Sequence, residues 1–416
     1  MSCWSNREIA TSGKKYFMKV EVVGTYMKTK EVISAAILAG IMAACGQKET
    51  TSSDLIYLNY QETEIQKEAP KLSTLLKDIR YVALETKDTC LLNRPTNITL
   101  TDKYIVMDGG NKTECFVFDK KDGKYLRTIG LREDPGPTGY TGATYPLYVV
   151  GNEMALKAEY GDKYKFFSLD DGSLLRTIDG KIDGQRWPNQ YLYPLNDSTM
   201  LQYNQNYKGN RKYGLQVVTW SGNVLKKFPA TNNFVWDKRM EYQIGYPDEI
   251  IFHRYKDQVY FQEFTSDTIF RLNERLESEP IYVVGKGEQI PDPNLRNTLD
   301  QDEKLKRLIK FEHTMETDRY LLMMGDRWNH QACIYDKQAE KTIRVESEEP
   351  IGFTNDLNGF LPFWPIGRGC GNAQNEVWGI LSVDKYLEGV EATGVNPLGI
   401  DLEFDDNPVI VIGTLK

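Results

Sequence analysis

The chain has 416 residues, with 51 Lys and Arg against 59 Asp and Glu and a formal net charge of −8. That acidic balance argues against a nucleic-acid partner and against adhesion to anionic lipid through a basic patch. Tyr (25) and Phe (16) are plentiful and long helical periodicity is nearly absent, so an all-β fold is expected.

The first predicted element is a targeting segment. Met27-Lys28-Thr29-Lys30 is basic, Val32 to Ala44 is an apolar run, and the small pair Ala43-Ala44 precedes Cys45. This order gives the n-region, h-region and cleavage site of a secretory signal, too short to cross a bilayer as a helix. Ile41-Met42-Ala43-Ala44-Cys45 resembles a bacterial lipobox, which implies cleavage before Cys45 and a diacylglycerol on its thiol. The alternative for Cys45 is a buried thiol in an apolar helix. Residues 1–26 have no place in this scheme, and Met27 reads as the first residue of the precursor. Without residues 1–44, 45 Lys and Arg face 56 Asp and Glu, a formal charge of −11. The expected organisation is upstream residues and signal over 1–44, a lipidated Cys45 and polar tether over 45–71, and one folded domain over 72–416.

Self-similarity follows along the chain. Cys115 to Gly130 reads as two strands around Asp122-Gly123, and the pattern recurs around Asp171-Gly172 and Ser221-Gly222. Weaker copies lie around Arg275 and Ala339. Alternating apolar residues on either side of an Asp-Gly or Ser-Gly turn signal a hairpin, because glycine takes φ > 0 without steric strain. The turns are spaced by about 49, 50, 53 and 64 residues, within the range of a four-stranded propeller blade with loops. Other strand runs, such as Tyr104 to Asp108 and Gln258 to Gln262, fall between them.

Five marked blades and one from the C-terminal stretch predict a six-bladed β-propeller of four-stranded antiparallel blades. An open sheet edge invites aggregation, so the last blade should be closed by the N- and C-terminal strands, Ile79 to Glu85 and Val409 to Leu415. Two irregular segments, Lys286 to His313 with a short helix near Asp300 to Phe311, and Ile351 to Gly371, are expected to cover one ring face.

Tyr81-Val82-Ala83-Leu84-Glu85-Thr86, Phe116 to Tyr140, Asp267 to Leu272, Leu361-Pro362-Phe363-Trp364-Pro365 and Asp405 to Val409 together resemble the six-bladed β-propeller lipoproteins of gut Gram-negative anaerobes. Those are related in fold to TolB-like and NHL-repeat propellers. The resemblance implies an accessory protein of the outer membrane, exposed at the surface or facing the periplasm, in a setting of glycan acquisition. It implies no common reaction.

Site signals are sparse. His253, His313 and His330 lie far apart, and no Gly-x-Ser-x-Gly or His-Glu-x-x-His occurs, so each histidine is expected at the surface or in a loop. Acidic runs such as Asp401 to Asp406 lack the spacing of a calcium loop and read as solvated turns. No metal or cofactor is expected. Cys115 and Cys333 sit in strand-like runs and read as small buried residues; Cys90 and Cys370 complete a scattered set with no C-x-x-C.

Aromatics in polar, irregular stretches are the ligand-binding candidates: Trp187, Tyr191, Trp236, Tyr246, Trp328, Phe360 and Trp364. Flat rings stack on sugar faces or anchor a protein interface, and they equally plug gaps between blades. Arg186, Arg239, Arg327 and Arg368 lie nearby and could bond to an acidic ligand. The expected function is a lipid-anchored binding or scaffold module for a glycan or an envelope protein. The alternative is a lyase or hydrolase acting on glycan or peptide at the mouth of the central channel.

Overall fold

The computed structural model describes residues 55–416 apart from 94, 96, 110–113, 141–147, 159–162, 185–189, 240–245, 247–248, 298–303, 326–331 and 346–351. Cys45, Arg186, Trp187, Arg327, Trp328 and His330 therefore lie outside the described residues.

Two short strands, β1 (Ile56–Leu58) and β2 (Ile65–Gln66), precede a long one, β3 (Leu76–Ala83). Blade 1 is β4 (Ile98–Leu100), β5 (Tyr104–Asp108), β6 (Cys115–Asp119) and β7 (Tyr125–Ile129), followed by a parallel pair, β8 (Leu131–Arg132) and β9 (Gly139–Tyr140). Blade 2 is β10 (Tyr148–Val150), β11 (Glu153–Ala158), β12 (Lys163–Ser168) and β13 (Leu174–Asp179). Blade 3 is β14 (Gln190–Pro194), β15 (Thr199–Asn204), β16 (Tyr213–Thr219) and β17 (Val224–Pro229). Blade 4 is β18 (Ile250–Tyr255), β19 (Gln258–Glu263), β20 (Thr268–Leu272) and β21 (Ser278–Val284). Blade 5 is β22 (Phe311–Glu316), β23 (Tyr320–Gly325), β24 (Ala332–Asp336) and β25 (Lys341–Val345). The last blade takes β26 (Gly367–Arg368), β27 (Glu376–Leu381) and β28 (Val409–Leu415), with helix α1 (Val383–Thr393) between the second and third.

Alternation builds the ring. In β5 and β6, Tyr104, Val106, Cys115 and Val117 face blade 2, whereas Ile105, Met107, Phe116 and Phe118 face blade 6. Successive side chains point to opposite faces, so a middle strand packed on both sides reads as a continuous apolar run. Each of the six blade junctions holds one such apolar cluster. Outer strands face water and loosen: Leu126, Leu175 and Leu225, at matching places after the turn glycines, are exposed. Gly123, Gly172 and Gly222 take φ of +74°, +75° and +87°, as the turn reading requires. In the two weaker copies the left-handed position falls to Leu276 and Glu340.

Closure follows expectation. β28 pairs antiparallel with β3 from Val409↔Ala83 to Leu415↔Leu76, so the N-terminal strand forms the outer edge of the last blade. The segment read as tether differs. β1 adds to β21 in parallel and β2 to β25, which gives blades 4 and 5 a fifth strand each. Leu58 and Tyr60 are buried there, so strand pairing starts at Ile56 rather than near Leu72.

Part of the expected helix near Asp300 to Phe311 falls on residues left undescribed. Its Leu305 and Leu308 pack on Tyr246, Phe264 and Leu295, and Phe311 already opens β22. Among the described residues no helix is long and apolar enough to cross a membrane. Cys90, Cys115 and Cys333 are buried free thiols, and Cys370 is a half-buried one.

Candidate ligand groove and central channel

Chain direction sorts the connections. Links from the outer strand of one blade to the inner strand of the next share a ring face with the links between second and third strands. The described parts of the long connections, 285–297 with 304–310, 352–366 and 382–408, all belong to that face. The links between first and second strands, on the other face, are tight turns such as Lys256-Asp257, apart from the longer 369–375 link of the last blade.

Two cavities follow from this asymmetry. The central channel, about 670 Å³, is lined by all six inner strands, with Tyr191, Tyr193, Arg254, Glu312, His313 and Arg368 among its walls. A groove of about 810 Å³ lies over blades 5 and 6 beside α1. Tyr81, Phe363, Trp364 and Phe404 supply its rings, and Glu312, Asp384, Asp406, Lys385 and His313 its ionisable side chains. Glu312, His313 and Ile366 line both, which marks where groove meets channel mouth.

The groove has local causes. Gly352 lies against the Phe363 backbone, where Phe353 and Phe363 bridge and hold the loop that carries Trp364. Helix α1 starts at Val383 and ends at Gly394 in the left-handed conformation, with Val383, Tyr386 and Gly389 buried. Gly389 lets Phe360 and Leu361 approach, since a Cβ there would lie 2.7 Å from Leu361 and 2.8 Å from Phe360. Phe404, after the helix, is 80% exposed at the rim.

The sequence candidates separate. Trp364 lines the groove, and Tyr191 and Arg368 line the channel. Phe360 sits beneath α1, edge-on to Tyr81 at 5.5 Å and against Tyr386 at 5.3 Å, and only 4% exposed, so its faces are not open to a ligand. Tyr246 is equally buried, packed on Phe264 with the Arg296 guanidinium 5.0 Å above its ring. Tyr191 and Tyr246 do meet: Gln205 donates to the Tyr191 hydroxyl at 3.2 Å and to the Tyr246 carbonyl at 2.8 Å. Trp236 is half-buried with Lys208 5.5 Å above its ring, while Arg239 pairs with Asp237 at 2.7 Å rather than with an aromatic. Arg368 donates to backbone carbonyls of Gln374 and Glu316, and its charge is fixed to the channel wall.

His253 departs from the surface reading. It is buried on β18, stacked on Tyr260, with Nε2 3.3 Å from Glu316. Glu316 accepts from the Tyr282 hydroxyl at 2.6 Å and from the Lys337 ammonium at 3.1 Å; burial pushes its carboxyl up, but His253, Lys337 and Tyr282 together outweigh it and hold it below the usual range. A second sealed set joins Glu249 and Arg296 at 2.5 Å between blades 3 and 4. Both sets fasten elements together and are closed to a substrate. Phe404 and Glu312 were missed by sequence reasoning, the first hidden in an acidic run and the second in a strand.

Fold and cavities define a closed six-bladed β-propeller with one elaborated face carrying a helix-flanked groove. The chain belongs to the family described as "Domain of unknown function (DUF4934)", whose profile matches residues 57–414. A solved protein of Bacteroides fragilis NCTC 9343, described as exported, is similar with a TM-score of 0.63 at 17% identity, covering 87% of this chain and 99% of that one. A DUF4221 family member from Bacteroides vulgatus is similar with a TM-score of 0.54 at 11% identity, over 82% and 97% of the two chains. At these identities the likeness concerns the fold. No curated protein matches the chain.

Proposed function

We propose that this protein is an exported, lipid-anchored propeller that binds a glycan in the groove over blades 5 and 6. One observation carries the reading: the groove sets the exposed Phe404 ring and the half-buried Tyr81 beside carboxylates, above a floor made by the buried Phe363 and Trp364, on the face that collects the long connections. Sugars are held in this way, with C–H faces on aromatic rings and hydroxyls donating to carboxylates. The lipobox-like run ending at Cys45 and the exported Bacteroides fragilis neighbour support the envelope setting. A catalytic reading at the channel mouth has less support, because the Glu316 and Glu249 constellations are sealed.

The test is titration of an oligosaccharide panel against the chain starting at Asp54 and its Phe404→Ala variant. Phe404 is exposed, so the variant should fold normally and weaken the best ligand roughly tenfold or more. Unchanged affinity would remove the groove as the site. For the anchor, an alkyne fatty acid should label the full chain in cells and fail to label Cys45→Ser. Protease shaving of intact cells then separates a surface location from a periplasmic one.

A further inference from the structure

Resting on the glycan reading of this groove, we propose that it selects sugars that are uncharged or carry amines and rejects acidic ones. Three carboxylates, Glu312, Asp384 and Asp406, line it against Lys385 and His313. The Asp384 carboxylate accepts from the Ser382 hydroxyl and the Lys385 amide, and Asp406 accepts the Glu403 amide at 2.8 Å. Neither forms a salt bridge among the described residues, and both line the cavity.

The chemistry of the walls sets the preference. Ionised carboxylates only accept hydrogen bonds, so they reward ligands rich in donors: hydroxyls, amides and above all ammonium groups. A uronic acid brings a further acceptor of the same sign. Leu361, Pro362, Phe363, Ile366 and Leu381 make the rest of the lining largely apolar, so a ligand carboxylate brought beside Asp384 and Asp406 finds repulsion there and little to offset it. Phe404 adds a ring face at the rim, on which an ammonium gains a cation–π contact that a carboxylate cannot make.

The probes are three tetrasaccharides of equal length: N-acetylglucosamine, glucosamine and galacturonic acid, titrated at about pH 6 where the amines are largely charged. Trilysine serves as a basic peptide probe. The glucosamine and N-acetylglucosamine chains should bind at least about tenfold tighter than the galacturonate chain, a difference of about 1.4 kcal/mol. The double variant Asp384→Asn, Asp406→Asn should narrow that ratio, as should about 0.5 M salt, which screens such charges. Galacturonate binding as tightly as the others, or a ratio untouched by the double variant, would overturn the selectivity and leave the glycan site standing. Trilysine binding as tightly as glucosamine would show that charge alone is read and would overturn the sugar preference. Failure of all three sugars would remove the glycan reading and this inference together.

Discussion

Gly123 holds the turn of blade 1 at φ +74°, its amide bonded to the Asp119 carbonyl at 2.9 Å. A Cβ added there would lie 2.0 Å from the Ala83 carbonyl oxygen and 2.9 Å from its carbon, at the end of β3. Those atoms are backbone, so Gly123→Ala must push the hairpin away from the closing blade. The left-handed conformation alone costs a non-glycine residue about 1–2 kcal/mol. Displacement also weakens the bond from the Glu85 amide to the Gly123 carbonyl, and that from the Tyr125 amide to the Glu85 carboxylate, both 2.9 Å. At about 0.5–1.5 kcal/mol each, the total loss comes to about 2–5 kcal/mol. Gly151 is the control, with φ +59° and no atom within 4 Å of its added Cβ, so Gly151→Ala should lose only the conformational 1–2 kcal/mol. Urea unfolding followed by tryptophan fluorescence measures both. Equal losses would refute the idea that this turn is seated against β3.

Further outcomes follow from burial and charge. A chain starting at Leu72 instead of Asp54 loses the packing of Leu58 and Tyr60, worth about 1.5–3 kcal/mol each, and bares the edges of blades 4 and 5; it should unfold at lower urea and aggregate more readily. Burial pushes the Glu263 carboxyl up to about 7, so its folded form keeps the proton while the unfolded form gives it up near 4.5. Its contribution to stability should be full below about pH 4.5 and be lost, by about 3 kcal/mol, as pH rises to 7; Glu263→Gln should flatten that part of the slope in unfolding curves taken across the range. Glu316→Ala strands Lys337 beside Tyr282 and His253 and should cost about 3–5 kcal/mol by the same assay. Glu340 is exposed in the left-handed conformation, so Glu340→Gly should raise stability by about 0.5–1 kcal/mol.

The ring was legible because its evidence is local and repeated. Asp122-Gly123 and its copies mark turns, two-residue alternation assigns each blade face, and Val409 to Leu415 needs an edge partner that β3 supplies. β1 and β2 were not legible, since strands of three and two residues in a polar stretch show no period and form only against edges supplied by distant blades. Helix α1 was missed because its buried positions, Val383, Tyr386 and Gly389, include a glycine that no apolar pattern counts.

Candidate rings fared by context. Tyr246 and Phe360 stand in polar, proline-flanked sequence, yet the inserted segments build small cores of their own around them. Phe404 reads as a stray residue in an acidic run until the loop after α1 is folded back over blade 6. Neighbours in sequence report on turns and strand faces; whether a loop aromatic is covered depends on which other loop lies across it.

Hydrogen exchange with and without the tightest oligosaccharide of the panel tests the central claim most directly. Bound sugar should slow exchange across 361–366, 382–385 and 404–408 and leave the outer strands of blades 1 to 3 unchanged. Protection confined to blades 2 and 3, with none along the groove, would contradict it.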